Sequence, residues 1–299
     1  MWKKQTVQFV APVLLGALLS QPLTTLLGKT SSAVTAIAQR SVSAVTPRCQ
    51  PAAETGLSRA WAVDDYLDTC PDHKYTIKIV SYEPLLINIA NFVSAEEGEY
   101  LINLADFSVP SYVRWEDGRE EYAPDVRSSS TSILHADQHM NDPVVRCIVN
   151  RAATFQGYLS PSLVEPLQVV RYRQSEHFSL HHDAFDYKQG RPNRRSSFFV
   201  ILKSEDVVHG GTNFPRIQPF QSGSVQNQQR WCEIMDCEDG KMPDGVVVKP
   251  VTGSANFWLN LEADGSRREQ LWHAGDRLLN GTKYGMNIFS WTAEPAPLS

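Results

Sequence analysis

Residues 167–183 read LQVVRYRQSEHFSLHHD, and the strand-like pattern that begins here indicates the class of fold. Its first six residues have the apolar, β-branched composition of a strand. The chain then keeps this texture almost to its end, with short β-rich segments separated by turns of Gly, Pro and Asn. Further strands are predicted at residues 197–202, 246–248, 255–259 and 284–291. Many short strands at this spacing predict a sandwich or barrel.

Upstream of this stretch, the pattern alternates between strands and helices. Residues 76–82 have a strand-like composition and residues 85–92 form a second apolar run. Ser94 followed by Glu97 is typical of a capping box, so a helix is predicted to start there and to bury Tyr100, Leu101 and Leu104. A charged aromatic loop, a further segment and a second helix follow at residues 111–125, 126–134 and 144–155. The predicted fold class is mainly β with flanking α-helices.

The first part of the chain has the composition of a targeting segment. No Asp or Glu occurs in the first 48 residues, and Lys3 and Lys4 precede an apolar run at residues 9–19. We therefore expect a signal peptide or signal anchor in residues 1–30 and secretory-pathway entry, with the endoplasmic reticulum lumen or membrane as destination. A mitochondrial leader is the second choice. Residues 31–73 are expected to be a linker and residues 74–299 one folded domain.

Composition narrows the class of partner. The chain of 299 residues is 42% hydrophobic and can bury one substantial core. Its net charge of -5 and pI of about 5.9 give no broad basic field for a phosphate backbone, so nucleic acid is excluded as the expected partner. Membrane contact is expected only through the N-terminal segment.

Five cysteines cannot all pair within one chain. Cys49 with Cys70 and Cys232 with Cys237 are the pairs nearest in sequence, although spacing does not establish connectivity. On that interpretation, Cys147 would be the free thiol.

Two histidines and one aspartate are candidate metal ligands. His181 and Asp183 occupy positions i and i+2 of a predicted strand and would share a face, whereas His182 would point away. His273, far downstream, could complete a facial triad of two histidines and one carboxylate, which is diagnostic of non-haem Fe(II) oxygenases. Zinc with three protein ligands is the competing assignment. Ligand identity alone does not exclude zinc, and Lys283 is the residue that separates the two assignments.

Four motifs occur in a fixed order along the second half of the chain. Residues 172–183 follow the pattern Tyr-x-x-Gly-x-x-Tyr-x-x-His-x-Asp, with Ser175 and Phe178 in place of the Gly and the second Tyr. Residues 209–215 read HGGTNFP and residues 249–258 read KPVTGSANFW. The fourth motif is His-Ala-Gly followed by Gly-x-Lys, with Lys283 ten residues after His273.

In these motifs the chain resembles the prolyl 4-hydroxylase α-subunit family of Fe(II)- and 2-oxoglutarate-dependent dioxygenases, over roughly residues 76–292. The resemblance implies a double-stranded β-helix, a cupin-like jelly roll with the metal inside one mouth. It also implies Fe(II), 2-oxoglutarate and dioxygen as reactants, succinate and carbon dioxide as products, and ascorbate as a helper. By the same resemblance, Lys283 is expected to bind the distal carboxylate of 2-oxoglutarate, with hydroxyl groups from Tyr172 and Thr212.

Departures from the family pattern leave the substrate open. Besides Ser175 and Phe178, Ile201 replaces a common aromatic residue and Tyr284 follows Lys283 where Trp is usual. Lys283 itself could instead be a surface lysine after a hairpin turn, since Asn280-Gly281 is a strong turn signal.

Three functions follow from these observations. The first is hydroxylation of a peptidyl proline, with Arg114, Trp115 and Tyr122 in a substrate-facing loop. The second applies the same chemistry to a small molecule or a biosynthetic peptide. The third is a non-catalytic jelly-roll binding protein, because a fold does not determine function. Assembly with a partner subunit is left open by the sequence.

Overall fold

The computed structural model describes residues 70–115, 119–135, 141–186, 192–218, 230–237 and 245–294. All of them lie in a compact unit that spans Leu57–Ser299. The expected signal segment, most of the expected linker and Cys49 lie outside the described residues. No helix within the described ranges is long and apolar enough to cross a membrane.

The described residues form two α-helices and thirteen strands. The helices are α1 (Ala95–Leu104) and α2 (Pro143–Phe155). The strands are β1 (Thr76–Tyr82), β2 (Leu85–Ala90), β3 (Val113–Arg114), β4 (Glu120–Glu121), β5 (Ser130–Ile133), β6 (Gln168–Arg173), β7 (Phe178–His181), β8 (Arg194–His209), β9 (Thr212–Phe214), β10 (Val246–Val248), β11 (Ala255–Leu259), β12 (His273–Gly275) and β13 (Leu278–Trp291).

Two antiparallel sheets make up the body of the domain. The major sheet has seven strands in the order β1-β2-β11-β8-β13-β6-β5, and the minor sheet has four in the order β10-β9-β12-β7. Strands β3 and β4 form a separate small hairpin. The sequence crosses between the sheets repeatedly, which is the arrangement of a jelly roll. The predicted fold class is therefore confirmed.

Alternation along the strands sorts side chains between two cores. In β8, Phe198 belongs to the core between the major sheet and the helices, while its neighbour Phe199 belongs to the core between the two sheets. In β13, Met286 and Ile288 face the helices. Lys283 is an odd number of residues away from both and is fully buried on the opposite face of the strand. The same period of two therefore places the charged side chain of Lys283 in the space between the sheets.

Helix α1 begins at the predicted residue. Ser94 is its N-cap and forms the complete capping box with Glu97. Leu101 is fully buried, and Tyr100 and Leu104 pack against the same core. Glu97 also forms a buried ion pair with Arg151 of α2 at 2.7 Å, so the two helices are joined by a salt bridge as well as by apolar packing.

Two strands are much longer than predicted. Strand β8 spans 16 residues and β13 spans 14, and they pair along most of their lengths. Asn280-Gly281 lies inside β13, at an irregularity in this pairing, and Gly281 has a φ of 85°. The hairpin interpretation of these two residues is therefore wrong. A Cβ atom on Gly281 would lie 2.2 Å from the Glu205 carbonyl oxygen, so only glycine fits there.

One of the two nearest-neighbour disulfides is wrong and the other is confirmed. Cys70 is bonded to Cys147, across 77 residues, and Cys232 is bonded to Cys237. Cys147 is therefore not a free thiol, and Cys70 does not pair with Cys49. Proximity in sequence did not predict this pair because the start of the domain packs against α2. Helix α2 carries Cys147, which lies in the core near the start of the domain.

Candidate metal centre and anion pocket

His181, Asp183 and His273 converge between the two sheets, at the ends of β7 and β12. Their ligating atoms all lie within 4.8 Å of one another. Nε2 of His181 is 3.7 Å from one carboxylate oxygen of Asp183, and Nε2 of His273 is 3.8 Å from the other. Two histidines and one carboxylate at this spacing fit a single metal ion and leave part of its coordination sphere open.

Both imidazoles are oriented by the backbone. Nδ1 of His181 bonds to the Ser179 carbonyl oxygen at 2.8 Å, and Nδ1 of His273 bonds to the Leu271 carbonyl oxygen at 2.9 Å. Because each Nδ1 donates to a carbonyl, each Nε2 is left with a lone pair directed at Asp183. His182 points away, as predicted, and its ring lies 5.5 Å from that of Trp272.

The protonation states also suit a metal. Burial, together with the neighbouring His273, lowers the pKa of His181 to about 3. Burial alone would raise the pKa of Asp183, but His273, His181 and a hydrogen bond from Ser197 hold it below its ordinary value. At neutral pH the site therefore presents a neutral imidazole and an ionised carboxylate, which are the metal-binding forms.

Lys283 is a buried cation in the same inter-sheet space. It has no solvent exposure, and its Nζ donates to the Gly210 carbonyl oxygen at 2.5 Å. Burial lowers the pKa of Lys283 to about 8, while the negative charge of Asp276 acts in the opposite direction. The interpretation as a surface lysine is therefore wrong. A buried ammonium with one carbonyl partner is a fitting site for an organic anion.

Tyr172 and Thr212 both lie on the inner faces of their sheets. Tyr172 is the cross-strand partner of Lys283, whose Nζ lies 4.7 Å from the centre of its ring. The Tyr172 hydroxyl is hydrogen-bonded to the side chains of Ser129 and Arg127. Thr212 is 5% exposed and lies two residues after Gly210, the partner of Lys283.

The departures from the family pattern have definite places in the structure. Ser175 has a φ of 69°, a backbone conformation that favours glycine. Ile201 is buried between the sheets, in the same apolar cluster as Tyr172. The ring of Phe178 is stacked on that of His181 at 3.6 Å, so this residue contacts a candidate metal ligand instead of offering a hydroxyl.

Two arginines near the metal centre were not predicted from the sequence. Arg127 lies 4.6 Å from the centre of the Phe178 ring, and Arg194 donates to the Asp183 carbonyl oxygen at 3.5 Å. Arg194 also forms an ion pair with Glu165 at 2.6 Å. Each of these arginines stands outside any recognisable sequence motif, so its position near the site could not be predicted. Only the folded chain brings these residues to the site.

The hairpin β3–β4 carries the three residues of the predicted substrate loop. The guanidinium of Arg114 lies 5.3 Å from the centre of the Phe185 ring, and Phe185 follows Asp183 by two residues. Trp115 donates from Nε1 to Glu121 at 3.2 Å, while Tyr122 is half exposed beside Tyr112. The base of the hairpin is thus tied to the segment that carries the metal ligands, and its aromatic residues remain accessible.

Sequence comparisons with known proteins agree with this geometry. Residues 167–291 match the family model described as the 2OG-Fe(II) oxygenase superfamily. Prolyl 4-hydroxylase 1 of Arabidopsis thaliana is 28% identical over 230 residues, which cover 75% of each chain. Probable prolyl 4-hydroxylase 8 of the same plant is 29% identical, covering 70% of this chain and 69% of its own length. A solved viral collagen prolyl hydroxylase from Paramecium Bursaria Chlorella virus-1, in a 2OG complex, is 20% identical, with a TM-score of 0.49 over 70% of this chain and 96% of that one.

The fold, the His-Asp-His cluster and the family match together define a 2-oxoglutarate-dependent dioxygenase. Residues 167–291, which include all three clustered side chains and Lys283, match the 2OG-Fe(II) oxygenase superfamily, and the chain is similar to prolyl 4-hydroxylases. Fe(II) and 2-oxoglutarate are accordingly its metal and co-substrate. The enzyme interpretation therefore replaces that of a non-catalytic binding protein.

Proposed function

We propose that this dioxygenase hydroxylates a peptidyl proline, with His181, Asp183 and His273 as the iron ligands. The observation that carries the proposal is the convergence of these three side chains beside a fully buried lysine. A redox-inactive structural metal would need no such lysine. A co-substrate with a negative charge explains why the lysine is retained there.

Lys283 is the residue proposed to hold the distal carboxylate of 2-oxoglutarate. Its ammonium has no carboxylate partner within hydrogen-bonding distance among the described residues, and the Gly210 carbonyl occupies only one of its three donors. Thr212 is proposed to add a hydroxyl. Tyr172 is proposed to contribute as well, both through its ring beneath the ammonium and through a hydroxyl that Arg127 and Ser129 orient.

Bound iron would supply activation of dioxygen, coupled to decarboxylation of 2-oxoglutarate to succinate and carbon dioxide, for insertion of one oxygen into a C–H bond. The protein's own residues bind and orient the co-substrate and the substrate, and they exclude water from the site. Trp258 and Phe214 flank His273 at 4.9 and 5.3 Å between ring centres, so this side of the site is closed to solvent. Ascorbate is proposed as the reductant that restores the iron after unproductive turnover.

An extended peptide is the substrate that the mouth of the site fits best. The curated relatives are named prolyl 4-hydroxylases. In this chain, the accessible aromatic residues Tyr112, Trp115 and Tyr122 offer flat surfaces for a proline-rich segment, which binds aromatic-lined grooves as a preformed helix. Arg114 at the base of the hairpin supplies donors for backbone carbonyls.

The proposed location is the secretory pathway, in the endoplasmic reticulum lumen or anchored to its membrane. The two disulfides support an oxidising compartment, because such bonds are rare in the cytosol. Protease protection of the full chain in isolated microsomes is the measurement. Digestion without detergent would contradict this location.

The substrate is tested by incubating the full chain with Fe(II), ascorbate, 2-oxoglutarate and a proline-rich peptide, followed by mass spectrometry of the peptide. We expect one added oxygen on a proline, and no addition with His181→Ala. If succinate forms without peptide hydroxylation and still depends on His181, the enzyme acts on a small molecule or another peptide. Oxygen added by both proteins would contradict the ligand assignment.

A further inference from the structure

Strands β7 and β12, which carry the two histidines of the metal centre, pair with an irregular register. His273 lies opposite His181, and Gly275 lies opposite Phe178. Three steps along β7 therefore match two steps along β12, which is the signature of a β-bulge. In a regular strand, residues three apart would point to opposite faces. The extra residue instead brings the side chains of Phe178 and His181 together.

The contact between these two rings is close and nearly parallel. Their centres are 3.6 Å apart and their planes differ by 16°. The hydrogen bond from Nδ1 to the Ser179 carbonyl holds one atom of the imidazole, and it allows the ring to tilt about that bond. A flat aromatic face against the imidazole removes this freedom. Phe178 therefore constrains the plane in which the Nε2 lone pair lies.

Arg127 also contacts the ring of Phe178. Its guanidinium lies 4.6 Å from the centre of the Phe178 ring, a cation–π contact. Hydrogen bonds to Ser129 at 3.2 Å and to Thr131 at 3.1 Å fix the guanidinium. The backbone is also tied, because Ser128 donates to the His177 carbonyl at 3.0 Å. Phe178 thus contacts a fixed cation as well as a proposed metal ligand.

The two histidines differ in how they are supported. The side chain of His273 is 6% exposed and packs against Trp258 and Phe214, whereas that of His181 is 21% exposed. Phe178 is the close parallel neighbour of the His181 ring among the described residues. The less enclosed ligand therefore depends more on a single supporting side chain.

We infer that Phe178 is a positioning residue for the metal ligand His181, and that the Arg127–Phe178–His181 stack sets how tightly the site binds its metal. This inference rests on the proposed assignment of His181 as an iron ligand. It also explains how phenylalanine can stand where the family pattern has tyrosine, because positioning of His181 requires the ring of Phe178 and not a hydroxyl. Groups that orient a metal ligand typically contribute about 10-fold to metal affinity.

The test is a titration of the metal-free full chain with Co(II), followed through the visible ligand-field absorption. Phe178→Met fills the space without a flat face, and we expect it to weaken Co(II) binding by about 10-fold and to shift or broaden the absorption band. Phe178→Leu should do the same. Phe178→Tyr keeps the ring and should bind Co(II) as the wild type does.

Phe107→Leu is the matched control. Phe107 also lies under an arginine, with the Arg171 guanidinium 4.9 Å from its ring centre, but it touches no metal ligand. It should bind Co(II) with wild-type affinity and an unchanged spectrum. Thermal unfolding of each metal-free variant shows whether the fold is retained, which separates lost positioning from lost structure.

The outcomes separate this inference from the proposed function. Wild-type affinity and spectrum in a folded Phe178→Met or Phe178→Leu variant, with binding lost in His181→Ala, would overturn the positioning role and leave the ligand assignment intact. Undiminished binding in His181→Ala would overturn the assignment itself. Equal weakening in Phe107→Leu would reduce the effect to general packing and also overturn the inference.

Discussion

The ammonium of Lys283 lies 4.7 Å from the centre of the Tyr172 ring, directly across the pair of strands β6 and β13. Lys283 is fully buried there, and burial lowers its pKa to about 8. A charge in such a place opposes folding unless a partner of opposite charge compensates it. The residue is therefore expected to favour binding of the anionic co-substrate at the expense of stability.

Lys283→Met should stabilise the ligand-free protein while removing 2-oxoglutarate binding. Methionine fills a similar volume without a buried charge, and we expect a gain of ~1–3 kcal/mol in the free energy of unfolding at pH 7. Denaturant unfolding and calorimetric titration of the Mn(II)-loaded protein measure the two effects. Lys203→Met, which alters a partly exposed lysine paired with Glu99 and Glu205, is the control and should leave co-substrate affinity unchanged. Wild-type affinity in Lys283→Met would show that another cation binds the acid.

Binding of 2-oxoglutarate should weaken as the pH rises through about 8, the pKa of Lys283 in the folded protein. The co-substrate needs the protonated ammonium, and burial makes the folded state release that proton below the ordinary pKa. The dissociation constant should therefore increase by up to about tenfold per pH unit above this value. Lys283→Arg, which keeps its charge at all these pH values, should flatten the dependence. A flat wild-type profile from pH 7 to pH 9 would contradict the role of the lysine.

The same pKa determines the sign of a stability effect in the ligand-free protein. Between the folded pKa of about 8 and the ordinary value of 10.5, the unfolded chain binds more protons at Lys283 than the folded chain does. The contribution of Lys283 to stability should therefore rise with pH across this window. The difference in unfolding free energy between the wild type and Lys283→Met isolates this contribution, and it should shrink from pH 8 to pH 10.5.

Gly281→Ala should destabilise the fold and reduce 2-oxoglutarate affinity together. A methyl group there meets the Glu205 carbonyl oxygen at 2.2 Å, so β13 must move two residues before Lys283. We expect a loss of ~3 kcal/mol in unfolding free energy. Gly265→Ala is matched for backbone conformation, with a φ of 84° and open space around the added Cβ, and should lose only ~1 kcal/mol. Equal losses in the two variants would mean that backbone conformation alone accounts for the effect.

The Cys70–Cys147 disulfide should contribute more stability than the Cys232–Cys237 disulfide. The two bonds close loops of 77 and 5 residues, and chain entropy then predicts losses of about 4 and about 2 kcal/mol on removal. The variants are Cys70→Ala/Cys147→Ala and Cys232→Ala/Cys237→Ala, compared by denaturant unfolding. A larger loss in the second variant would show that the loop-entropy argument does not govern this domain.

Features that depend on a few neighbouring residues could be predicted from the sequence. The capping box from Ser94 to Glu97 spans four residues, and its hydrogen bonds form as predicted. Strand β1 matches its predicted bounds because alternation and flanking turns are local signals. His181, Asp183 and His273 could be singled out because metal ligation restricts residue types and because four motifs occur in the same order, and the structure brings the three side chains together.

Features that depend on register between distant segments could not be predicted. Asn280-Gly281 is a turn signal in isolation, but pairing with β8 carries β13 straight through it. The contact between Phe178 and His181 needs the bulge opposite β12, which leaves no mark in the local pattern. Cys147 is paired with Cys70 because α2 packs against the start of the domain, and sequence distance has no bearing on that.

The 2-oxoglutarate chemistry is proposed to take place at one metal site, formed by His181, Asp183 and His273. Its most direct test is Fe(II)-dependent release of succinate from 2-oxoglutarate by the full chain, in the presence of ascorbate and a proline-rich peptide. The wild type and Asp264→Ala, which alters a solvent-exposed aspartate, should release succinate, and Asp183→Ala should release none. Succinate release by Asp183→Ala at the wild-type rate, or release by the wild type without iron, would contradict the account.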